Sequence, residues 1–285
     1  MNEGQFIAAL QKLALHPGAR GLEDDCAVIA VGGEHLILTT DMMAEGTHYR
    51  PQADMADVAW KLVAVNLSDL ASKGAEPIGL LLGHSLGRSD ARFLAGLRDV
   101  LDAFGVTLLG GDTIAATGAS TLCITALGRA THVPVPSRQG AQAGDNLYVT
   151  GMLGRAMLGF EGVEEHLPAF NRPVPRLAEG RALAPVVSAM MDISDGLLLD
   201  CWRMAQASGA TIQLETTAIP VADPARLDAC VRWGDDYELL FTLPPDADLP
   251  VAATRIGTVL EQRPAPLIFG ETPIHRPDNL GYRHG

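Results

Sequence analysis

Lysine is scarce in this chain. Only Lys12, Lys61 and Lys73 occur among 285 residues, and the acidic excess leaves a formal charge of −13. So acidic a chain lacks the basic surface that nucleic acids and anionic membranes require, and neither is expected as a partner. Any phosphate it handles must find positive charge elsewhere, and cations held by aspartate are the available source. Cysteine is also sparse. Cys26, Cys123, Cys201 and Cys230 lie far apart with no C-x-x-C pair, which excludes a zinc site or a disulfide framework and implies reduced thiols in or near a core. No apolar run approaches the roughly 20 residues that span a bilayer. Glu3, Gln11 and Lys12 leave no signal-peptide core in the first 20 residues, so a cytoplasmic setting is expected.

Hydrophobic residues make up 47% of the chain, enough for a real core, and the length allows two domains. Strands and helices alternate. Phe6, Ala9, Leu10 and Leu13 recur at helical spacing and predict a first amphipathic helix. Leu36 to Thr40 reads as a strand running into Asp41, and a helix from about Asp57 to Ser72 ends at Gly74. Along it Trp60, Val63, Leu67 and Leu70 form a buried stripe, with Asn66, Asp69 and Lys73 on a neighbouring face. Leu94, Leu97, Leu101 and Phe104 mark another helix. Val106 to Leu109 then predicts a strand leading into Gly110-Gly111-Asp112-Thr113, and Thr121 to Leu127 a further one. Between Thr131 and Asp145 prolines and glycines gather among polar residues, the signal of a domain boundary. Beyond it come strands at Leu147 to Thr150, Met190 to Ile193 and Tyr237 to Leu243. Helices are predicted near Gly154 to Phe160, at Arg176 to Ser188, and from Ser194-Asp195-Gly196 to about Ala207.

Aspartates recur where these strands end and helices begin: Asp24, Asp25, Asp41, Asp69, Asp112, Asp192 and Asp195. Taken singly, each is an ordinary cap or turn residue. As a set they are harder to explain that way, because strand ends in α/β folds collect at one sheet edge, where ligands bind. Two carboxylates about 4 Å apart repel by about 4 kcal/mol at an effective dielectric near 20. A group of them takes up protons or holds cations. Oxygen ligands with threonine hydroxyls and no His/Cys cluster select magnesium or a similar hard ion. The P-loop, protein-kinase, dinucleotide, nucleophile-elbow and H-E-x-x-H motifs are all missing. Bound ATP would therefore need a different scaffold.

Several segments, in order, resemble one family. They are Gly21-Leu-Glu-Asp-Asp25, Thr39-Thr-Asp-Met-Met-Ala-Glu-Gly-Thr-His48, Val65-Asn-Leu-Ser-Asp-Leu-Ala71, Leu109-Gly-Gly-Asp-Thr113, Gly144-Asp-Asn-Leu-Tyr-Val-Thr-Gly151, Met191-Asp-Ile-Ser-Asp-Gly196 and Gly234-Asp-Asp-Tyr-Glu-Leu239. Together they resemble the thiamine-monophosphate kinases, in the superfamily of aminoimidazole ribonucleotide synthetase and selenophosphate synthetase. The resemblance runs from about residue 4 to 283. It implies an α/β (α+β) chain of two domains: residues 1–138, which bind ATP and metal and dimerise, and residues 139–285, a second α/β unit. It implies several magnesium ions, ATP as co-substrate and thiamine monophosphate as acceptor in a homodimer.

Carried over by position, the resemblance makes Asp25, Thr39, Thr40, Asp41, Asp69, Asp112, Asp192 and Asp195 metal ligands, with Asp41, Asp69 and Asp195 at the chemistry. Gly111, Asp112, Arg138 and Ser194 become nucleotide contacts, and His48, Asp235 and Tyr282 acceptor contacts. Three positions depart from the family. Glu23 stands where glycine is usual, Asp235 replaces a glutamate, and the tail reads Gly281-Tyr-Arg-His-Gly285. The last two bear on the acceptor. Two other readings stay open: a related enzyme with a different acceptor, and a silent nucleotide-binding dimer. An acceptor that is already a phosphate, with a second pKa near 6, needs no strong base, and no base–nucleophile pair stands out in the sequence.

Overall fold

The computed structural model describes residues 3–87, 89–115 and 117–283. One sheet gathers β1 (Ala27–Val31), β2 (Glu34–Ala44), β3 (Ala75–Ser85), β4 (Leu108–Ile114) and β5 (Thr121–Ala130) in the order β1-β2-β5-β3-β4. β3 and β4 run parallel, and the other pairs are antiparallel. A second sheet gathers β6 (Asn146–Val149), β7 (Ala189–Asp192), β8 (Thr211–Leu214), β9 (Leu239–Leu243), β10 (Thr254–Leu260), β11 (Leu267–Phe269) and β12 (Thr272–Ile274) in the order β12-β11-β8-β10-β6-β9-β7. The helices are α1 (Glu3–Leu10), α2 (Met55–Ser72), α3 (Asp90–Phe104), α4 (Arg155–Phe160), α5 (Leu167–Asn171), α6 (Leu177–Leu183), α7 (Leu197–Ser208) and α8 (Leu227–Trp233).

The helix α2 holds the two sheets together. Asp54 caps it, accepting from the Ala56 N–H at 2.9 Å, and Gly74 at φ 59° follows its end. The helix is buried on nearly every side rather than along one stripe. It packs on β2, β3 and β5 and also on β7, α5 and α6. One apolar core therefore spans both sheets, with Ile37, Leu62, Leu80 and Ile124 continuous with Met190, Leu239 and Phe241. Each such side chain contributes roughly 1.5–3 kcal/mol when fully buried. A second core under α7 joins Val149, Ile193, Leu198, Met204, Ile212 and Ile256.

Alternation along β2 decides which residues face α2. Thr39 and Met43 are buried on the inner face, while Thr40 and Met42 point outward, as the period of two requires. The outer face carries Met42, 57% exposed, and Leu81, 46% exposed, beside an edge strand β4 that is exposed along its whole length. Gly111 is required in that strand, because a Cβ there would stand 2.0 Å from the Leu82 carbonyl oxygen.

Several elements differ from the sequence expectation. The first helix forms, but nothing on it is buried: Phe6 is 57% exposed and Leu13 lies beyond its end. Gly110 to Thr113 lies inside β4 rather than after it, since parallel pairing with β3 carries through to Ile114. The strand at Leu36 to Thr40 is the middle of a longer one, and the helix expected over Arg176 to Ser188 is only the short α6. The four cysteines are free thiols, three of them buried. Among the described residues no helix is long and apolar enough to cross a membrane.

Candidate active site

Carboxylates from three elements meet beside α2. Asp25 precedes β1, Asp69 lies on the last turn of α2 and Asp192 ends β7. Each offers an oxygen within 4.8 Å of the others. Short polar side chains on α2 make this possible. The Ser68 hydroxyl donates to Asp192 Oδ2 at 2.6 Å, and the Ser72 hydroxyl to Asp25 Oδ2 at 3.0 Å. The Thr39 hydroxyl donates to Asp69 from the inner face of β2. Two residues along, the Asp41 backbone N–H donates to Asn66 Oδ1 at 3.1 Å, which ties the strand to the helix at that level.

The charges in this cluster are unequally balanced. Lys73, fully buried, donates at 2.6 Å to both Asp24 and Asp25. Arg138 adds bonds of 2.9 and 2.5 Å to Asp25 Oδ1. Burial alone would raise Asp25, but the Arg138 and Lys73 charges outweigh it and hold the carboxyl below its ordinary value. The opposite holds for the carboxylates that no cation among the described residues touches. Burial, then the charges of Asp41, Asp192 and Asp25, push Asp69 well above the carboxylate range. Asp192 is raised to about 8, by burial and then by Asp25. Burial likewise raises Asp41 to about 6, against its hydrogen bond with Asp69. Carboxylates crowded in this way take up protons or hold a cation. An oxygen-only donor set with hydroxyls beside it fits a hard divalent ion such as magnesium.

Beside the cluster opens a cavity of about 560 Å³ lined by Asp41, His48, Ser194, Asp195, Asp235 and Tyr282. Asp195 lies in the turn before α7. Arg203 donates to its carboxylate at 2.6 Å, and its carbonyl accepts from the Tyr282 N–H at 2.9 Å. That return of the chain needs glycine at 281, where a Cβ would meet the Asp195 carbonyl oxygen at 2.1 Å. His48 Nδ1 accepts from the Ala44 N–H at 3.0 Å, so a neutral ring carries its proton on Nε2. Phe160, Phe170 and Trp233 form an aromatic wall, with ring centroids 5.4 and 4.9 Å apart.

The structure thus brings Asp25, Asp69 and Asp192 together, with Thr39, Asp41 and Arg138 against them. It does not bring Thr40 or Asp112 to that cluster. Thr40 faces outward and its hydroxyl pairs with Thr125 at 2.8 Å. Asp112 lies with Gly111 on the exposed edge strand, its Oδ1 accepting from the Thr113 N–H. Glu23 adopts φ −117°, open to any residue, so its departure from glycine costs no backbone strain. Arg283 is described at the surface, whereas His284 and Gly285 lie outside the described residues. Sequence reasoning missed Lys73, Ser68, Ser72 and Arg203 as partners of the acidic residues. Serines one turn apart on a helix that is buried on nearly every side were the available signal.

The architecture and the acidic cluster define a class. Residues 23–130 match the family AIR synthase related protein, N-terminal domain. A solved structure, AaThiL complexed with AMPPCP and TMP, shares the fold at a TM-score of 0.86, with 24% identity over 100% of this chain and 97% of that one. Closer in sequence, the thiamine-monophosphate kinase of Salmonella typhimurium is 35% identical over 254 residues, 79% of this chain and 76% of the relative. The crystal structure of thiamine-monophosphate kinase from Stenotrophomonas maltophilia K279a is 30% identical, covers 94% of this chain and 96% of its own, and superposes with a TM-score of 0.77. The chain belongs to the thiamine-monophosphate kinase family.

Proposed function

We propose that this chain transfers the terminal phosphoryl group of ATP to thiamine monophosphate, giving thiamine diphosphate, with magnesium held by its buried aspartates. The observation that carries this reading is the convergence of Asp25, Asp69 and Asp192 beside a cavity that Asp41 and Asp195 line. Magnesium bound there would neutralise the repulsion between the two phosphates that must meet in line. The chain's own contribution is placement. Thr39 and Asn66 orient Asp69 and Asp41, and Arg138 and Ser194, with Gly111 and Asp112 on β4, are the nucleotide contacts of this reading. His48, Asp235 and Tyr282 hold the acceptor, and the aromatic wall suits its flat cationic ring. No side chain has to remove a proton, because a phosphate monoester arrives largely ionised.

The same reading assigns metal, nucleotide and dimer contacts to residues 1–138 and a second α/β unit to 139–285. Two copies would meet on the outer face of the first sheet, where Met42, Leu81 and the β4 edge are otherwise bare to water. Sedimentation at micromolar concentration is expected to give twice the chain mass, and a monomer there would remove the dimer from the reading.

A coupled assay of ADP release tests the activity. With magnesium, thiamine monophosphate is expected to turn over at least about a hundredfold faster than free thiamine, whose hydroxyl would need a general base. Equal rates on the two acceptors would overturn the acceptor assignment. Undiminished turnover in excess EDTA would overturn the metal assignment.

A further inference from the structure

Lys61 does not belong to the acidic cluster, yet it lines the cavity. Its side chain is 7% exposed, and its Nζ lies 2.7 Å from Asp235 Oδ2 and 4.0 Å from the Phe170 ring centroid. A shielded ammonium is costly unless paired, and a methionine would fill the same space without charge. Asp235 is held just as closely. Its other oxygen accepts from the Tyr237 hydroxyl at 2.8 Å, and its backbone N–H donates to the Ser194 carbonyl at 2.8 Å. Its φ of 58° is one that a non-glycine residue occupies only when held. The carboxylate keeps 30% of its surface open. Two donors fix its orientation and leave acceptor capacity for a third partner.

Position along α2 tells which end of the acceptor this concerns. Eight residues separate Lys61 from Asp69, about 12 Å of helix axis, and the lysine Cα–Cβ bond tilts toward the helix N-terminus, away from Asp69. The ammonium therefore stands apart from the Asp69 end of the helix and beside the aromatic wall. One rigid helix carries both the metal-end carboxylate and the cation that sets Asp235.

We infer that Lys61 is the positioning residue for Asp235, fixing that carboxylate at the ring end of the acceptor site at a set distance from the metal end. This rests on the reading of Asp235 as an acceptor contact. The test measures Lys61→Met, Asp235→Ala and the double variant by acceptor KM, kcat and calorimetric ATP affinity in magnesium. Lys61→Met is expected to raise acceptor KM at least about tenfold, the loss of a charge-assisted hydrogen bond, with ATP affinity unchanged. In the double variant KM should be no higher than in Asp235→Ala alone, because Lys61 acts through that carboxylate. Should Lys61→Met fold poorly, Lys61→Arg, which keeps the charge, should hold KM within about threefold of the parent while Lys61→Gln does not.

Penalties that multiply in the double variant would show Lys61 acting independently and overturn the inference while leaving the acceptor reading in place. So would an unchanged KM in Lys61→Met with a raised KM in Asp235→Ala. An unchanged KM in Asp235→Ala would overturn the acceptor contact itself and the inference with it.

Discussion

Asparagine at position 69 is expected to lower kcat by at least about a thousandfold, because metal-borne charge stabilisation of several kcal/mol is lost with one ligand charge. The fold should survive. Thr39 can donate to the asparagine oxygen as it does to the carboxylate, and Asp69 is partly buried among Asp41, Asp192 and Asp25, whose charges it repels. In EDTA the variant should therefore melt no lower than the parent. Magnesium should raise the melting temperature of the parent and not of the variant, since only a folded state that binds the ion gains from it. The site is expected to be stabilised by losing the group that catalysis needs, which is common at strained centres. A kcat within tenfold of the parent, with the magnesium-dependent melting shift intact, would dismiss Asp69 as a ligand.

Lys73→Met is expected to do the reverse, with stability falling by about 3–5 kcal/mol, the cost of breaking a buried ion pair from one side. For a chain of this size that is a drop in melting temperature on the order of 10 °C. Lys73 is fully buried, and among the described residues the other cations on the two carboxylates are Arg20, at Asp24, and Arg138, at Asp25. Removing it leaves both aspartates short of compensation in low dielectric. Adding Asp24→Asn to the variant should restore part of the loss, as one uncompensated charge disappears. Urea unfolding of parent, single and double variants measures all three. A single variant as stable as the parent would mean that water or rearrangement reaches the cluster easily.

The sequence carried more of the site than of its wiring. Aspartates at strand and helix ends could be found because those positions share a sheet edge whatever the long-range pairing. Period two along β2 also separates Thr39 and Asp41 from Thr40, so the outward hydroxyl was legible in principle. The fate of Asp112 was not. It depends on β4 being an edge strand and on a register shift between Leu80 and Leu81 opposite it, neither of which local pattern encodes. Lys73 was legible only as sharing a helix face with Asn66 and Asp69. That it is buried follows only from Asp24 and Asp25, some fifty positions earlier, folding back onto it. The pairing of Lys61 with Asp235 joins positions 174 apart, which one-dimensional pattern does not reach. The exposed first helix shows the converse, since amphipathic spacing records an apolar stripe without saying what covers it.

The three converging aspartates come from positions 25, 69 and 192, and Tyr282 closes back on Asp195. During synthesis, the first two aspartates leave the ribosome long before the third exists. A nascent chain bearing only the first sheet holds two of the carboxylates with their lysine, but neither β7 nor the wall of the cavity. The site is thus among the last features to form, as expected where function depends on contacts of long sequence separation. A partly made chain has no complete centre with which to spend ATP on water.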